Sequence, residues 1–298
     1  MGSFFGGLLA ESGQTVTLID INPAHLGVIQ QEGLFLQTDA GERRIRSLTA
    51  CRPEQATAVP DLLIVFTKTL HTQTALAGVQ HLIDETTQVL SLQNGLGNVE
   101  KIAAFVPLER IWVGITTWPA DLVGPGHVHS HGQGAVRLMS ADGQDRAFLS
   151  NLVSTLTGAG LAAQADGAVW RAIWEKVAFN AALNSICAVS RCTVGQLGSH
   201  VAGRALAHAV VDEVLAVARS QGIAVIESTV HNTVDHALDH HREHKPSMLQ
   251  DLLAGRATEI DAINGAVLQY ARQGQVATPL TETLCTLVHL IESKAAST

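Results

Sequence analysis

The sequence predicts an α/β N-terminal domain built on a doubly wound parallel sheet, followed by an all-helical C-terminal domain. Three observations carry this. Strand and helix signals alternate along the first half of the chain. The opening "MGSFFGGLLAESGQTVTLID" reads as a glycine-rich turn, a helix, a stop at Gly13 and a strand ending on Asp20, which is the second half of a dinucleotide-binding βαβ unit. From about residue 167 the alternation ends and long helix-periodic runs take over. No strand precedes the opening turn, so the sheet is expected to lack its first strand.

Taken in order, "TVTLID" (15–20) is a strand and "AHLGVIQQEG" (24–33) a short helix stopped by glycine. "GLFLQT" and "RRIRSLTA" are β-rich and flank "DAGE", a hairpin turn. "DLLIVFT" (61–67) is a continuous apolar run, as a parallel strand covered on both faces requires. A helix over about 70–83 follows, then the buried strand "TQVLSLQ" (87–93) ending in "NGLGN". Helix 98–105, strand "RIWVGITTW" and two strands in "GHVHSHGQGAVRLM" complete the first domain, with an antiparallel addition late in the sheet. The small-residue stretch "TGAGLAAQADG" holds a last short strand and the boundary. Residues 1–163 form the dinucleotide-binding domain and 164–298 a helical substrate and dimerisation domain.

Composition narrows the function. Among 298 residues, 46% are apolar and 15% charged, with a net charge of −8. No Lys/Arg cluster tracks a phosphate backbone, which argues against nucleic acid. No run approaches the roughly 18 apolar residues of a membrane span, and the N-terminus lacks the basic region of a signal peptide. Cys51, Cys187, Cys192 and Cys285 form no CxxC pair and are expected as buried small hydrophobes in a reducing cytoplasm.

Five stretches carry chemistry. Gly2 fits the third glycine of a dinucleotide turn, with Gly6 one helical turn on; packing glycines are the alternative. Asp20 lies 18 residues past Gly2, close to the spacing of about 20 at which an acid takes ribose hydroxyls. Lys68 follows a buried strand, where a parallel sheet places its ligands, or is an exposed loop lysine. Asn94 is either a turn residue or a polar contact beside the nicotinamide. Lys176, Asn180 and Asn184 recur at i, i+4 and i+8 on one stripe of an otherwise apolar helix. Such a stripe lines a polar cleft or finds partners, and burial tunes a lysine toward general-acid duty. Ser247, preceding a helix, is a cap or a ligand donor. Glu259, set in a second helix beside Ile260, Ile263 and Val267, is a dipole charge or a site residue. His231, His236, His240, His241 and His244 crowd together, but without HExxH a solvated helix face is expected and no metal.

Together these stretches resemble the ketopantoate reductase (2-dehydropantoate 2-reductase) family over essentially the whole chain. "TKTLHTQ", "QNGLGN", "GITT", "WEKVAFNAALN", "SMLQD" and "RATEID" match its blocks in order. The resemblance implies a Rossmann domain, a helical domain and NAD(P)H-dependent reduction of a 2-keto acid, 2-dehydropantoate, toward pantothenate. It makes Lys176 the general acid, and Glu259 the ligand of the substrate hydroxyls. Asn180, Asn184 and Ser247 orient substrate; Gly2, Asp20, Lys68 and Asn94 lie by the cofactor. Many members place an arginine after the second strand for the 2′-phosphate of NADPH. The run Asp20-Ile21-Asn22 instead implies that NADH serves at least as well. This keeps open a D-2-hydroxyacid dehydrogenase acting on another branched 2-keto acid. Against the family the chain lacks about ten residues of strand and turn, so a truncated, catalytically impaired relative is a further alternative. The apolar faces of the helical domain suggest a homodimer.

Overall fold

The structure, a computed structural model, describes residues 1–295. Its backbone packing separates two units: Met1–Gln93 with Asn98–Val169, and Asn94–Gly97 with the chain from Trp170 onward.

The first unit is α/β. Helix α1 (Gly2–Glu11) buries Phe4, Phe5, Leu9 and Ala10. Strand β1 (Val16–Ile19) lies beneath it, and a Cβ on Gly6 would meet Leu18 Cδ2 at 2.5 Å, so glycine there lets helix and strand approach. Helix α2 (Pro23–Glu32) starts where Asn22 Oδ1 accepts the N–H groups of Ala24 and His25, and it ends at Gly33, whose φ of +87° suits glycine. Strands β2 (Leu34–Thr38) and β3 (Gly41–Ile45) form the expected antiparallel hairpin. β4 (Leu48–Cys51) pairs in parallel with β1. The β-rich run 43–50 therefore breaks at Arg46–Ser47, because its two ends serve different sheets.

Strands β5 (Leu62–Val65), β6 (Gln88–Ser91) and β7 (Ile111–Thr116) run parallel. Strands β8 (Asp121–Gly124) and β9 (His127–His129) join β2 and β3 in a four-stranded sheet of order β3-β2-β9-β8. β10 (Val136–Ser140) adds antiparallel to β7, and β11 (Ala163–Ala165) adds parallel to β10. The helix expected over 70–83 is shorter: α3 spans Thr72–Gly78 between two 3-10 turns. Likewise α4 covers Asn98–Ile102; α5 is Ala147–Gly158.

Among the described residues, β1 and β5 each pair on one side only, with β4 and β6 respectively. Their burial reflects this. Val89 and Leu90 of β6 and Ile111 and Trp112 of β7 are fully buried, whereas Leu62, Leu63 and Ile64 of β5 are half-buried and Thr17 of β1 is exposed.

The second unit is helical. Helix α6 (Val169–Ser190) is apolar on most faces and accordingly buried along most of its length. α7 (Val194–Ser199) begins with a reciprocal cap between Thr193 and Gln196. α8 (Val201–Ser220) contributes a fully buried row of Val210, Val211, Val214, Leu215 and Val217. α9 (Glu227–His240), α10 (Ser247–Leu253), a π-helical turn (Asp261–Gly265), α11 (Ala266–Gly274) and α12 (Pro279–Ala295) follow. Cys51, Cys187 and Cys285 are free and buried, and Cys192 is half-buried and free. Among the described residues no helix is long and apolar enough to cross a membrane.

Candidate active site

In the α/β unit, the polar residues singled out from the sequence stand at strand ends. Gly2 opens α1; the nearest atom to a Cβ built there is Phe66 Cβ at 3.7 Å, so packing alone does not demand glycine at this position. Asp20 closes β1 with an exposed side chain, and its Oδ1 accepts the Asn22 N–H at 2.8 Å. Lys68 follows β5 and is half-buried. Beyond β6, Gln93 ties this rim together. Its Nε2 donates to Thr67 O at 2.6 Å and Thr72 Oγ1 at 2.9 Å, while its Oε1 accepts from Ser91 Oγ. Lys101 Nζ donates to Thr69 O at 3.0 Å. Gln93 was not singled out from the sequence, although its place beside Asn94 at the end of a buried strand offered the signal.

Asn94–Gly97 groups with the helical unit. Gly95 (φ +83°) and Gly97 (φ +81°) shape the turn, and a Cβ on Gly95 would collide with the Ala262 carbonyl. Leu96 N–H donates to that carbonyl at 2.8 Å.

In the helical unit, α6 carries Lys176, Asn180 and Asn184 on one stripe, as their spacing requires. Asn184 is buried, Lys176 and Asn180 half-buried. Burial pushes the Lys176 ammonium down to about 8, and the Glu259 carboxylate pulls it back part of the way. The helical unit thus brings an acid-tuned lysine, a carboxylate in electrostatic reach and two amides into one chemical set.

Glu259 departs from its expected setting. It lies in a bend just before the π-helical turn, and its carbonyl accepts the N–H groups of both Ala262 and Ile263 at 3.0 Å. The sequence periodicity read a regular helix there; the wider turn is set by tertiary packing. Asn264 within the turn is fully buried, and its Nδ2 donates to Ala181 O on α6 at 3.2 Å. Its Oδ1 is buried without a partner. Asn264 was missed because one Asn in an apolar run carries no spacing signal. Ser247 is the exposed first residue of α10 and makes no cap bond, which removes the cap reading and leaves its hydroxyl open.

Of the crowded histidines, His236, His240, His241 and His244 are exposed as expected. His231 is not simply solvated. Its Nε2 meets Asp212 Oδ1 at 2.9 Å and its Nδ1 meets His208 Nδ1 at 2.6 Å, tying α9 to α8.

The chain matches the family models described as "Ketopantoate reductase PanE/ApbA" over residues 1–143 and "Ketopantoate reductase PanE/ApbA C terminal" over 168–292. A 2-dehydropantoate 2-reductase of Streptococcus pyogenes serotype M3 is 33% identical over 294 residues, which is 98% of this chain and 95% of the relative. Among solved structures, D-mandelate dehydrogenase with NADH and anilino(oxo)acetate aligns with a TM-score of 0.94 at 33% identity, over 99% of this chain and 96% of the other. A 2-dehydropantoate 2-reductase from Geobacter metallireducens GS-15 aligns with a TM-score of 0.90 at 30% identity, over 96% and 95%.

Proposed function

Because the chain belongs to the ketopantoate reductase family, we propose that it reduces the keto group of 2-dehydropantoate to the alcohol with a nicotinamide cofactor. The observation that carries this reading is the tuned Lys176 facing Glu259 on the Asn180–Asn184 stripe.

The residues fit such a cofactor. The exposed carboxylate at the end of β1 suits ribose hydroxyls, and the rim of Lys68 and Gln93 lies at the carboxyl ends of parallel strands, where doubly wound sheets take dinucleotides. When bound, a reduced nicotinamide supplies the hydride. The chain does the rest. Lys176 holds a proton at Nζ for the keto oxygen, where negative charge develops as C2 is reduced. Glu259 takes the substrate's hydroxyl, and Asn180, Asn184 and Ser247 hold the carboxylate and keto group in orientation. Asp20 favours a free 2′-hydroxyl over a 2′-phosphate, which supports NADH as a cofactor at least as good as NADPH.

A second reading has its own support in the likeness to D-mandelate dehydrogenase: an NADH-dependent reductase of a different, bulkier 2-keto acid. A panel of 2-dehydropantoate, smaller branched 2-keto acids and an aryl 2-keto acid, each with NADH and NADPH, separates the two. Highest kcat/KM on 2-dehydropantoate supports the first reading; highest kcat/KM on the aryl acid replaces it with the second. Turnover of none of them overturns both.

A further inference from the structure

We propose that the edge of the four-stranded sheet binds a divalent transition ion of the zinc class through Asp121, His129 and His131. No metal is expected from the sequence, where no motif marks these three residues. The ladder puts them together. Asp121 on β8 stands directly opposite His129 on β9 in the antiparallel register, so both side chains leave the same face. His131 lies two residues beyond the end of β9, and its donor atom falls beside the other two. The chain beyond β9 is held at this position. Ser130 N–H donates to Gln37 O at 2.9 Å, Ser130 Oγ donates to Pro119 O at 2.7 Å, and Gly132 N–H donates to Asp39 Oδ2 at 2.7 Å.

The three donor atoms already lie within 4.8 Å of one another, and the two imidazoles stack at 5.5 Å. An ion with bonds of about 2.0–2.2 Å draws its ligands to within roughly 3.5 Å. Exposed Asp121 and His131 close that gap by rotation of their side chains. Among the described residues no hydrogen bond occupies these donor atoms; the Met1 ammonium acts on Asp121 electrostatically, and a bound cation would compete with it. His127, the next histidine of the row, is committed elsewhere: its Nε2–H donates to Gln37 Oε1 at 3.2 Å and its ring packs on Phe35. Two imidazoles and one carboxylate with open positions select a borderline transition ion over magnesium or calcium, which want all-oxygen shells.

A second group, Asp212, Glu227 and His231, is also close-set, but its donors are taken. His231 is bonded through both ring nitrogens, and the Arg219 guanidinium sits 2.5 Å from Glu227. A cation there would displace these bonds and meet a fixed positive charge.

The test is calorimetric titration of the tag-free full chain, stripped with chelator, using zinc chloride and, separately, magnesium chloride. One zinc per chain and no magnesium binding are expected. His129→Ala and Asp121→Asn should each weaken zinc binding by at least about tenfold, the range in which even supporting contacts act, while His231→Ala leaves it unchanged. No zinc binding, an unaltered isotherm in H129A, or loss in H231A instead overturns the proposal. Should a variant fail to fold, carbethoxylation of the native chain decides. Zinc should protect His129 and His131 from the reagent, and equal modification with and without zinc overturns the assignment.

Discussion

Lys176 is the residue on which the proposed chemistry turns, and its pH behaviour is a direct check. A general acid must carry its proton, and burial brings this ammonium down to about 8. Reduction should therefore lose kcat/KM as pH rises through about 8, and Lys176→Ala should lower kcat by about 10²–10⁴-fold and abolish that limb. His25 gives a second test, in stability. Its Nδ1 accepts the Gly126 N–H at 2.9 Å, so its Nε2 carries the proton and donates to Ser3 Oγ. Burial, partly offset by Asp20, lowers its folded pKa below the usual 6.5. Its contribution is therefore present above the unfolded value and is lost as pH falls through the lowered folded value. Unfolding by urea should show that loss below pH 6.5 in the native chain and a shallower one in His25→Asn, which keeps an acceptor but does not titrate. The site was legible at this scale wherever a periodicity carried it. The Lys176–Asn180–Asn184 stripe follows from 3.6 residues per turn, whereas Asn264 bonds a partner distant in sequence and leaves no local pattern, and Gln93 is marked only by its place beside Asn94 at a strand end.

At the scale of elements, long and strongly periodic segments were read correctly and junctions were not. Helices α6 and α8 and the hairpin β2–β3 lie where pattern and turn chemistry put them. The break between β3 and β4, the shortening of α3 and the π-helical turn after Glu259 all depend on which neighbour each segment meets, and that is not written in the segment. The start of α12 shows the same dependence. Glu213 of α8 accepts the N–H groups of Leu280 and Thr281 and the Thr281 hydroxyl, all at 2.8–2.9 Å. It satisfies donors that the first turn of a helix leaves open. Glu213→Ala should cost about 1–3 kcal/mol in chemical denaturation, the penalty of buried donors left unpaired. Removal of Glu54, whose partner Arg52 lies in the same exposed loop, should cost almost nothing.

For the whole molecule, the family, the α/β-then-helical order and the oxidoreductase class were all accessible from residue blocks in sequence order, since each block carries its own chemistry. Cofactor choice belongs to this scale too: kcat/KM with NADH should equal or exceed that with NADPH, and Asp20→Ala should shift the ratio toward NADPH. Val201, Leu287 and Leu290 expose apolar surface on the helical unit, and light scattering should find twice the chain mass if they meet in a homodimer. The one-sided pairing of β1 and β5 has a dynamic consequence. In a parallel strand, alternate amides face opposite neighbours, so half of the N–H groups of an edge strand look toward solvent. Amides on the unpaired edges of β1 and β5 should exchange with deuterium far sooner than those of β6 and β7. These edges should then open locally at a lower free energy than global unfolding.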